Sequence, residues 1–476
     1  MINSIKISFF NHTRRVRLLE ISIIFSKRQP KYLDIYEQLK NMIVNQTLHA
    51  NEKLPSKRSL ATHLNVSIHT VKEAYEQLAS EGYIYSVERS GYYISKYDVE
   101  WALPIQQQVK SETKQVSKIH FNFKNGQVDQ GAFPLKAWLK MYKNQLTSNL
   151  VPNGPWQGDP FLREQIALYI QRSKGIKCNA GQIFIYSGTQ HQLNELCRFF
   201  GNIKVAIEEP GFRRASTIFQ QNQLSVQYVP IDEKGATIPP HPCKCYYVTP
   251  AHQFPVGHVM PIDRRIEVLK WAKENNSFLI EDDYDSEFRY KGNPIPPIAQ
   301  MDQLHHVIYF GTFSKTLIPS VRISYMILPK SLVKPYTQFY SDQKTFVSLI
   351  DQKVISEFME SGLYSKHIAK MRTLYRKKRL KLIECIKSHL GADYEIIGDA
   401  AGLHILLRLP PWLNESCAIR LAANLGIAID PISTSYQQHN VDHLVMIGYG
   451  AIPYDVIEQA ISLLATEWKN HHQRYI

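Results

Sequence analysis

At 476 residues the chain exceeds one ordinary core, so two or three domains are expected. The net charge of +14 is diffuse, with +4 on residues 1 to 100 and +10 on the rest, which hints at nucleic acid and no more. Six scattered cysteines without paired CxxC spacing, no apolar run of membrane-spanning length, and an N-terminus broken by Arg14, Arg15, Arg17 and Glu20 argue against a disulfide scaffold, a membrane span and a secretory leader. A cytoplasmic protein with reduced thiols, no membrane partner and no metal is expected. Cys243 and Cys245 make one CxC without a second pair, which reads as packing.

Residues 1–17 read as an extension ahead of a first module, 18–96. There Leu33, Tyr36, Leu39 and Ile43 recur at helical spacing and predict an amphipathic helix. Ser56 then caps a short helix that turns Leu60, Ala61 and Leu64 inward, and Asn65-Val66 makes a tight turn. Ser67 caps a longer helix with Val71, Ala74, Tyr75 and Leu78 on one face. That order is a helix-turn-helix, whose second helix would present Ser67, His69, Thr70 and Lys72 to base edges and phosphates in a major groove. The alternating YIYSVERSGYYIS follows as a hairpin with Gly91 at its tip beside Arg89, which would be a wing. A plain helical bundle with a hairpin gives similar signals. The continuous order of helix, LPSKR, turn, helix and glycine-tipped hairpin, however, resembles the GntR-type winged helix, an α+β fold. The resemblance puts Arg58, Ser67, His69, Thr70, Lys72 and Gly91 at DNA-contact positions, with Arg89 beside them in the wing. The residue after Ser67, often arginine in such domains, is Ile68 here, and His69 is also unusual.

Residues 97–119 turn to Gln, Lys, Ser and Glu, as in QQQVKSETKQVSK, with too few large apolar side chains to bury a core, so a tether is expected. Across 120–476, apolar runs at Ile183–Tyr186, Val205–Ile207, Cys245–Val248, Phe278–Ile280 and Val307–Phe310 alternate with helical patterns. This predicts an α/β domain with a mainly parallel sheet, where ligands collect at the carboxyl ends of the strands. Those ends carry SGTQHQL, EEPGFRR, TPAHQFPVG, EDDYDSEFRY and GTFSK: a phosphate cup at a helix start, an aromatic with arginines, polar amides, carboxylates and one amine, Lys315. A lone loop lysine is usually a solvated rim residue. Five converging tips make it a Schiff-base candidate, because an amine kept neutral attacks an aldehyde, and nearby hydroxyls with Arg322 suit a phosphate.

From roughly Asn122 to Trp468 these residues resemble the fold-type I pyridoxal-phosphate enzymes of the aspartate aminotransferase superfamily. The resemblance implies pyridoxal 5'-phosphate as cofactor and Lys315 as the catalytic, Schiff-base lysine. It implies Arg322 and Ser314 on the phosphate, Thr189 in the phosphate cup, and Asp282 against the pyridine nitrogen, where a carboxylate keeps the ring protonated. It also implies Tyr284 near the ring oxygen, Phe212 near the ring face, and His252 and Gln253 in place of the usual Asn-Pro-x-Gly turn. Asp283, Asp285 and Glu287 can be read as loop caps or surface carboxylates.

Winged helix, tether and aminotransferase-like domain in one chain resemble the MocR/GabR regulators over nearly the whole length, on LPSKRSLA, TPAHQFPVG, EDDYDSEFRY and GTFSKTLIPSVRISYM. The resemblance implies a head-to-tail homodimer on a double-stranded DNA operator and a small amine or amino-acid-like effector. Aminotransferases and the amino-acid-sensing relative clamp a carboxylate with the arginine of an Arg-Leu-Gly-Phe run. The matching run here is MIGYG, with Met446 in the arginine's place, while Arg214, at an effector-carboxylate position, is retained. Losing one arginine of a clamp removes about 1.5 to 3 kcal/mol, which disfavours α-amino-acid transamination and a GABA effector. Three functions are weighed: a regulator that reads the cofactor or an amine, a working pyridoxal-phosphate aminotransferase with a DNA-binding appendage, and a regulator whose large domain only dimerises. The basic run YRKKRLK, Tyr375 to Lys381, reads as a solvated helix face rather than a second DNA patch.

Overall fold

Apolar residues at helical spacing generate the first element. In the computed structural model, which describes residues 21–26, 29–96, 119–147, 154–438 and 442–473, α1 (Lys31–Val44) buries Ile35, Tyr36, Leu39 and Ile43. The predicted extension 1–17 and the tether up to residue 118 lie outside the described residues. Ser56 Oγ accepts from Ser59 N–H at 3.1 Å and starts α2 (Lys57–Leu64). Asn65 ends it at φ 52°, a left-handed conformation that asparagine tolerates better than most residues. Ser67 Oγ accepts from Thr70 N–H at 3.1 Å and starts α3 (Ile68–Ser80), whose Val71, Ala74, Tyr75 and Leu78 are fully buried. Strands β1 (Ile84–Val87) and β2 (Gly91–Ile94) pair antiparallel, with Val87 opposite Gly91. The glycine expected at the hairpin tip therefore opens the second strand. Arg89, at φ 60°, takes the left-handed position in the turn.

The chain divides into two compact units, Met1–Lys114 and Gln115–Ile476. The second begins with β3 (Phe121–Asn122), α4 (Leu135–Thr147), α5 (Pro160–Lys174), β4 (Ile183–Tyr186), α6 (Thr189–Phe200), β5 (Lys204–Glu209), α7 (Arg213–Gln221) and β6 (Ser225–Asp232). It continues with β7 (Gly235–Ala236), β8 (Cys245–Val248), α8 (Ile262–Glu274), β9 (Phe278–Asp283), α9 (Ile298–Asp302), β10 (Val307–Thr312) and β11 (Ser324–Ile327). These strands lie in the order β4-β11-β10-β9-β8-β5-β6-β7. From β10 through β6 every neighbouring pair is parallel, while β11 runs antiparallel to both of its neighbours. Strands such as Ile183–Tyr186 and Cys245–Val248 are buried along their whole length because apolar clusters cover both faces of the sheet.

Helices α10 (Lys330–Phe339), α11 (Leu349–Glu360) and α12 (Leu363–His389) lead to β12 (Glu395–Ile397), β13 (His404–Arg408), α13 (Glu415–Asn424), β14 (Ile427–Ala428), β15 (Asp430–Pro431), β16 (Leu444–Gly448) and α14 (Ile457–Gln473). The order β12-β13-β16-β15 makes a small antiparallel sheet. Ile405, Leu407, Val445 and Ile447 face a core that includes Trp468, and Leu406, Leu444 and Met446 pack on the opposite face. The basic run on α12 departs from the expectation of a solvated face. Tyr375, Lys378 and Arg379 are buried, Lys378 Nζ donates to Asp129 at 2.6 Å and to the Gly450 carbonyl at 2.9 Å, and Arg379 pairs with Asp399 at 2.7 Å.

Candidate functional site

Strand β9 runs beyond its predicted end because it stays paired to β10, with Phe310 beside Asp282 and Gly311 beside Asp283. The two aspartates are therefore strand residues on opposite faces. Asp282 Oδ2 accepts from the Tyr247 hydroxyl of neighbouring β8, and its Oδ1 is buried without a partner among the described residues. Burial pushes this carboxyl up to about 7; Asp283 and Asp285 add to the rise, and Tyr247 and Lys315 oppose it. Asp283 faces the other way. Burial alone would raise it too, but the Lys174 ammonium at 3.2 Å, with Ser286 and the Tyr309 hydroxyl, holds it below the usual carboxylate range. Glu287 shares Lys174 at 3.3 Å and Asp285 binds His252 at 2.9 Å. None of these three carboxylates is the surface group that sequence reading allowed.

Lys315 stands three residues past the end of β10. Its turn is fastened by Ser314 N–H on Thr312 Oγ1 at 3.1 Å and Leu317 N–H on the Phe313 carbonyl at 2.8 Å. Burial drives the amine below its ordinary pKa, and Arg214 pushes the same way against Asp285 and Asp282. A Cβ built on Gly126 would lie 3.3 Å from Lys315 Nζ, so the amine rests against that glycine. Arg322, at φ 51°, donates through Nη2 to the Ser187 carbonyl at 3.3 Å. A Cβ on Gly188 would lie 2.5 Å from the same nitrogen, so only glycine lets the guanidinium lie on that peptide. Gly188 is the N-cap of α6 and Thr189 its first residue, where backbone N–H groups have no helical acceptor and favour an anion.

The loop after β8 supplies the opposite edge. The Tyr284 hydroxyl donates to the His252 carbonyl at 2.8 Å and lies 3.0 Å from His252 Nδ1, which is also 2.9 Å from Asp285. His252 Nε2 is buried without a partner among the described residues. Gln253 spends its amide on the Pro210 and Phe254 carbonyls and its Oε1 on Val256 N–H, so it shapes the loop and leaves no polar atom for a ligand. Phe212, half-buried at the N-cap of α7, meets Phe254 edge-on at 5.8 Å. Arg214 is exposed, and Met446 is buried with Leu406, Ile432 and Leu444. Sequence reading missed Tyr247, which looked like strand filler, and His404, whose ring lies tilted 5.0 Å from that of His252 and binds the Pro255 carbonyl at 3.0 Å.

In the first unit Arg58, Ser67, His69, Lys72, Arg89 and Gly91 are exposed and Thr70 is half-buried. His69 lies 3.5 Å from Glu73 and Lys72 3.6 Å from Glu76, and Ser67 Oγ is held by Thr70. The exposed ion pairs are weak enough to give way to phosphates. Ile68, 49% exposed in the first turn of α3, offers an apolar contact where an arginine would offer charge.

Fold and site define a winged-helix unit joined to a unit with the class I/II aminotransferase fold, which is a pyridoxal-phosphate-dependent fold. Residues 31–94 match the gntR family of bacterial regulatory proteins, and residues 118–441 match aminotransferase class I and II. The chain is 41% identical to the HTH-type transcriptional regulator YdeL of Bacillus subtilis (strain 168), over 92% of this chain and 97% of that one. It is 27% identical to MocR of Rhizobium meliloti, a probable rhizopine catabolism regulatory protein, over 91% and 93%. It is 28% identical to the pyridoxine biosynthesis transcriptional regulator PdxR of Corynebacterium glutamicum, over 94% and 98%. The multiple substrate aminotransferase of Thermococcus profundus superposes with a TM-score of 0.67 at 23% identity, covering 79% of this chain and 98% of that one, a likeness of fold. The chain belongs to the MocR/GabR-type regulators, DNA-binding transcription regulators with a GntR-type winged helix and an aminotransferase class I/II domain. Among the described residues no helix is long and apolar enough to cross a membrane.

Proposed function

We propose that Lys315 carries pyridoxal 5'-phosphate and that the loaded unit reports the cofactor itself, or an amine or amino-acid-like effector, to winged helices that hold an operator in a head-to-tail homodimer. The observation that carries the reading is the orphaned Oδ1 of Asp282. A buried carboxyl at about 7 whose second oxygen has no protein partner among the described residues suits a protonated ring nitrogen. The residues around it fit the rest of the group. Gly188, Thr189 and Arg322, with Ser314, would take the phosphate; Phe212 would cover the ring; and Tyr284, oriented by His252, would meet the ring oxygen. When bound, the cofactor supplies an aldehyde that accepts primary amines and a ring that withdraws electrons. Asp282 holds the ring proton, Arg322 fixes the anionic end, and the depressed pKa of Lys315 keeps its amine available. The relative named for pyridoxine biosynthesis supports the cofactor as one candidate signal.

Wild type incubated with pyridoxal phosphate should keep a visible absorption band through dialysis, and Lys315→Ala should keep none. A wild type that emerges colourless defeats the proposal. Independently, Arg58→Ala should weaken operator binding about tenfold and reduce its salt dependence by roughly one ion while leaving that band intact. Unchanged binding would remove α2 from the DNA surface.

A further inference from the structure

The small-sheet side of the Lys315 site is built from β15, β16 and the segment Phe123–Asp129. Asp430 stands opposite Met446 in the antiparallel register of β15 and β16, where facing Cβ atoms lie about 4.5 to 5.5 Å apart. Asp430 Oδ2 accepts from Asn125 N–H at 2.6 Å, and the next residue, Gly126, is the one against which Lys315 Nζ rests. The carboxylate thus lies one peptide from the glycine that touches the amine. The two groups act on each other: Asp430 raises the proton affinity of Lys315, and Lys315 draws down that of Asp430, whose carboxyl burial otherwise pushes up.

The wall around Asp430 adds little positive charge. Leu406, Ile432, Leu444 and Met446 are apolar and buried. His404, buried and in ring contact with Phe254 of this apolar group, is held neutral because burial, His252 and Lys315 drive its pKa to about 3. Asp285 is spent on His252, and Asp282 lies at the Tyr247 end of the site. The cations whose fields reach here, Lys124 at Asp430 and Arg214 at Lys315, have exposed side chains and are screened by water. A carboxylate at the far end of a ligand would meet a like charge on a desolvated wall, and an ammonium would meet an acceptor. We infer that the effector is a primary amine whose far end is a second ammonium, and that Asp430 receives that end. The inference rests on Lys315 being the cofactor lysine.

The matched pair 1,4-diaminobutane and 4-aminobutanoate differs only at the far end, so titrating each into the full chain loaded with pyridoxal phosphate isolates it. Read through the visible band, diaminobutane should reach half-response at a concentration about tenfold or more below aminobutanoate. In Asp430→Asn the ratio should shrink to about twofold or less, and Met446→Arg, which serves even where Asp430→Asn fails to fold, should tip it toward aminobutanoate. An equal or better wild-type response to aminobutanoate, a band that neither amine perturbs, or a ratio that neither substitution moves overturns the diamine and leaves the cofactor in place. A wild type with no band overturns both.

Discussion

Asp282→Asn is expected to weaken pyridoxal phosphate binding about ten- to a hundredfold while making the cofactor-free chain more stable at pH 8. The first effect follows, on the proposed reading, from replacing a charge-assisted hydrogen bond to the ring nitrogen by a neutral one. The second follows from the cost of ionising a buried carboxyl whose Oδ1 has no protein partner among the described residues. Below pH 3.8 the carboxyl is protonated whether the chain is folded or not, and burial costs it little. Between pH 3.8 and about 7 the unfolded chain ionises and the folded chain does not, so stability falls as pH rises; above about 7 the full cost stands, at most about 4 kcal/mol. Asparagine removes the ionisation and keeps an acceptor for Tyr247, so the apo variant should melt about 2 to 4 °C above apo wild type at pH 8, with the gap closing toward pH 4. Glu281, also pushed up to about 7 by burial, is common to both proteins and cancels in the difference. Glu208, pushed up to about 7 by burial with Asp282 adding to the rise, is relieved of that addition in the variant and so widens the gap in the same direction. Melting curves across pH, with and without cofactor, test both halves. An apo variant less stable than wild type at pH 8 would show that Asp282 serves packing rather than a ligand.

Much of this site was legible because the apolar runs end where the chemistry begins. The runs through Tyr186, Val248 and Phe310 are buried strands, and past them come Ser187, whose carbonyl accepts from Arg322, then His252, bound to Asp285, and Lys315 itself. What composition could not supply was direction. Asp282 and Asp283 are neighbours of one type, yet strand alternation sends one to an orphaned site and the other to Lys174. Tyr247 looked like filler between Tyr246 and Val248 until β8 was laid beside β9. Strand β11 escaped notice because four residues in SYMI carry no alternation, although its antiparallel insertion between β4 and β10 follows directly on Arg322. In the basic run, charge concealed period: Tyr375, Lys378, Arg379 and Leu382 occupy the i, i+3, i+4, i+7 positions of a buried stripe. Asp129, the partner that makes Lys378 tolerable there, is 249 residues away in sequence.

That pair, with Lys378 buried and Asp129 half-buried, gives the second large effect. Lys378→Met should destabilise the large unit by about 2 to 3 kcal/mol, because it leaves the half-buried Asp129 carboxylate and the Gly450 carbonyl without their shared donor. Asp129 also accepts from Ala132 N–H at 2.9 Å, and its own N–H donates to the Tyr375 hydroxyl at 3.0 Å, so the loss reaches the whole Phe123–Asp129 segment. The segment lies close on β16 and the residues after it: a Cβ on Gly448 would come within 2.7 Å of the Lys124 carbonyl, and one on Gly450 within 2.0 Å of that of Gln127. Loosened from α12, it would no longer hold Gly126 against Lys315 or Asn125 on Asp430. The variant should therefore bind the cofactor more weakly as well as unfold at lower urea. Removing the stranded charge too, in Lys378→Met with Asp129→Asn, should recover part of the lost stability, since the amide carries no charge and keeps an acceptor for Ala132 N–H. Urea unfolding followed by a probe in the large unit measures each step. A single variant within about 1 kcal/mol of wild type, or a double variant no better than the single, would mean that Lys378 is held in place by the helix and holds nothing itself.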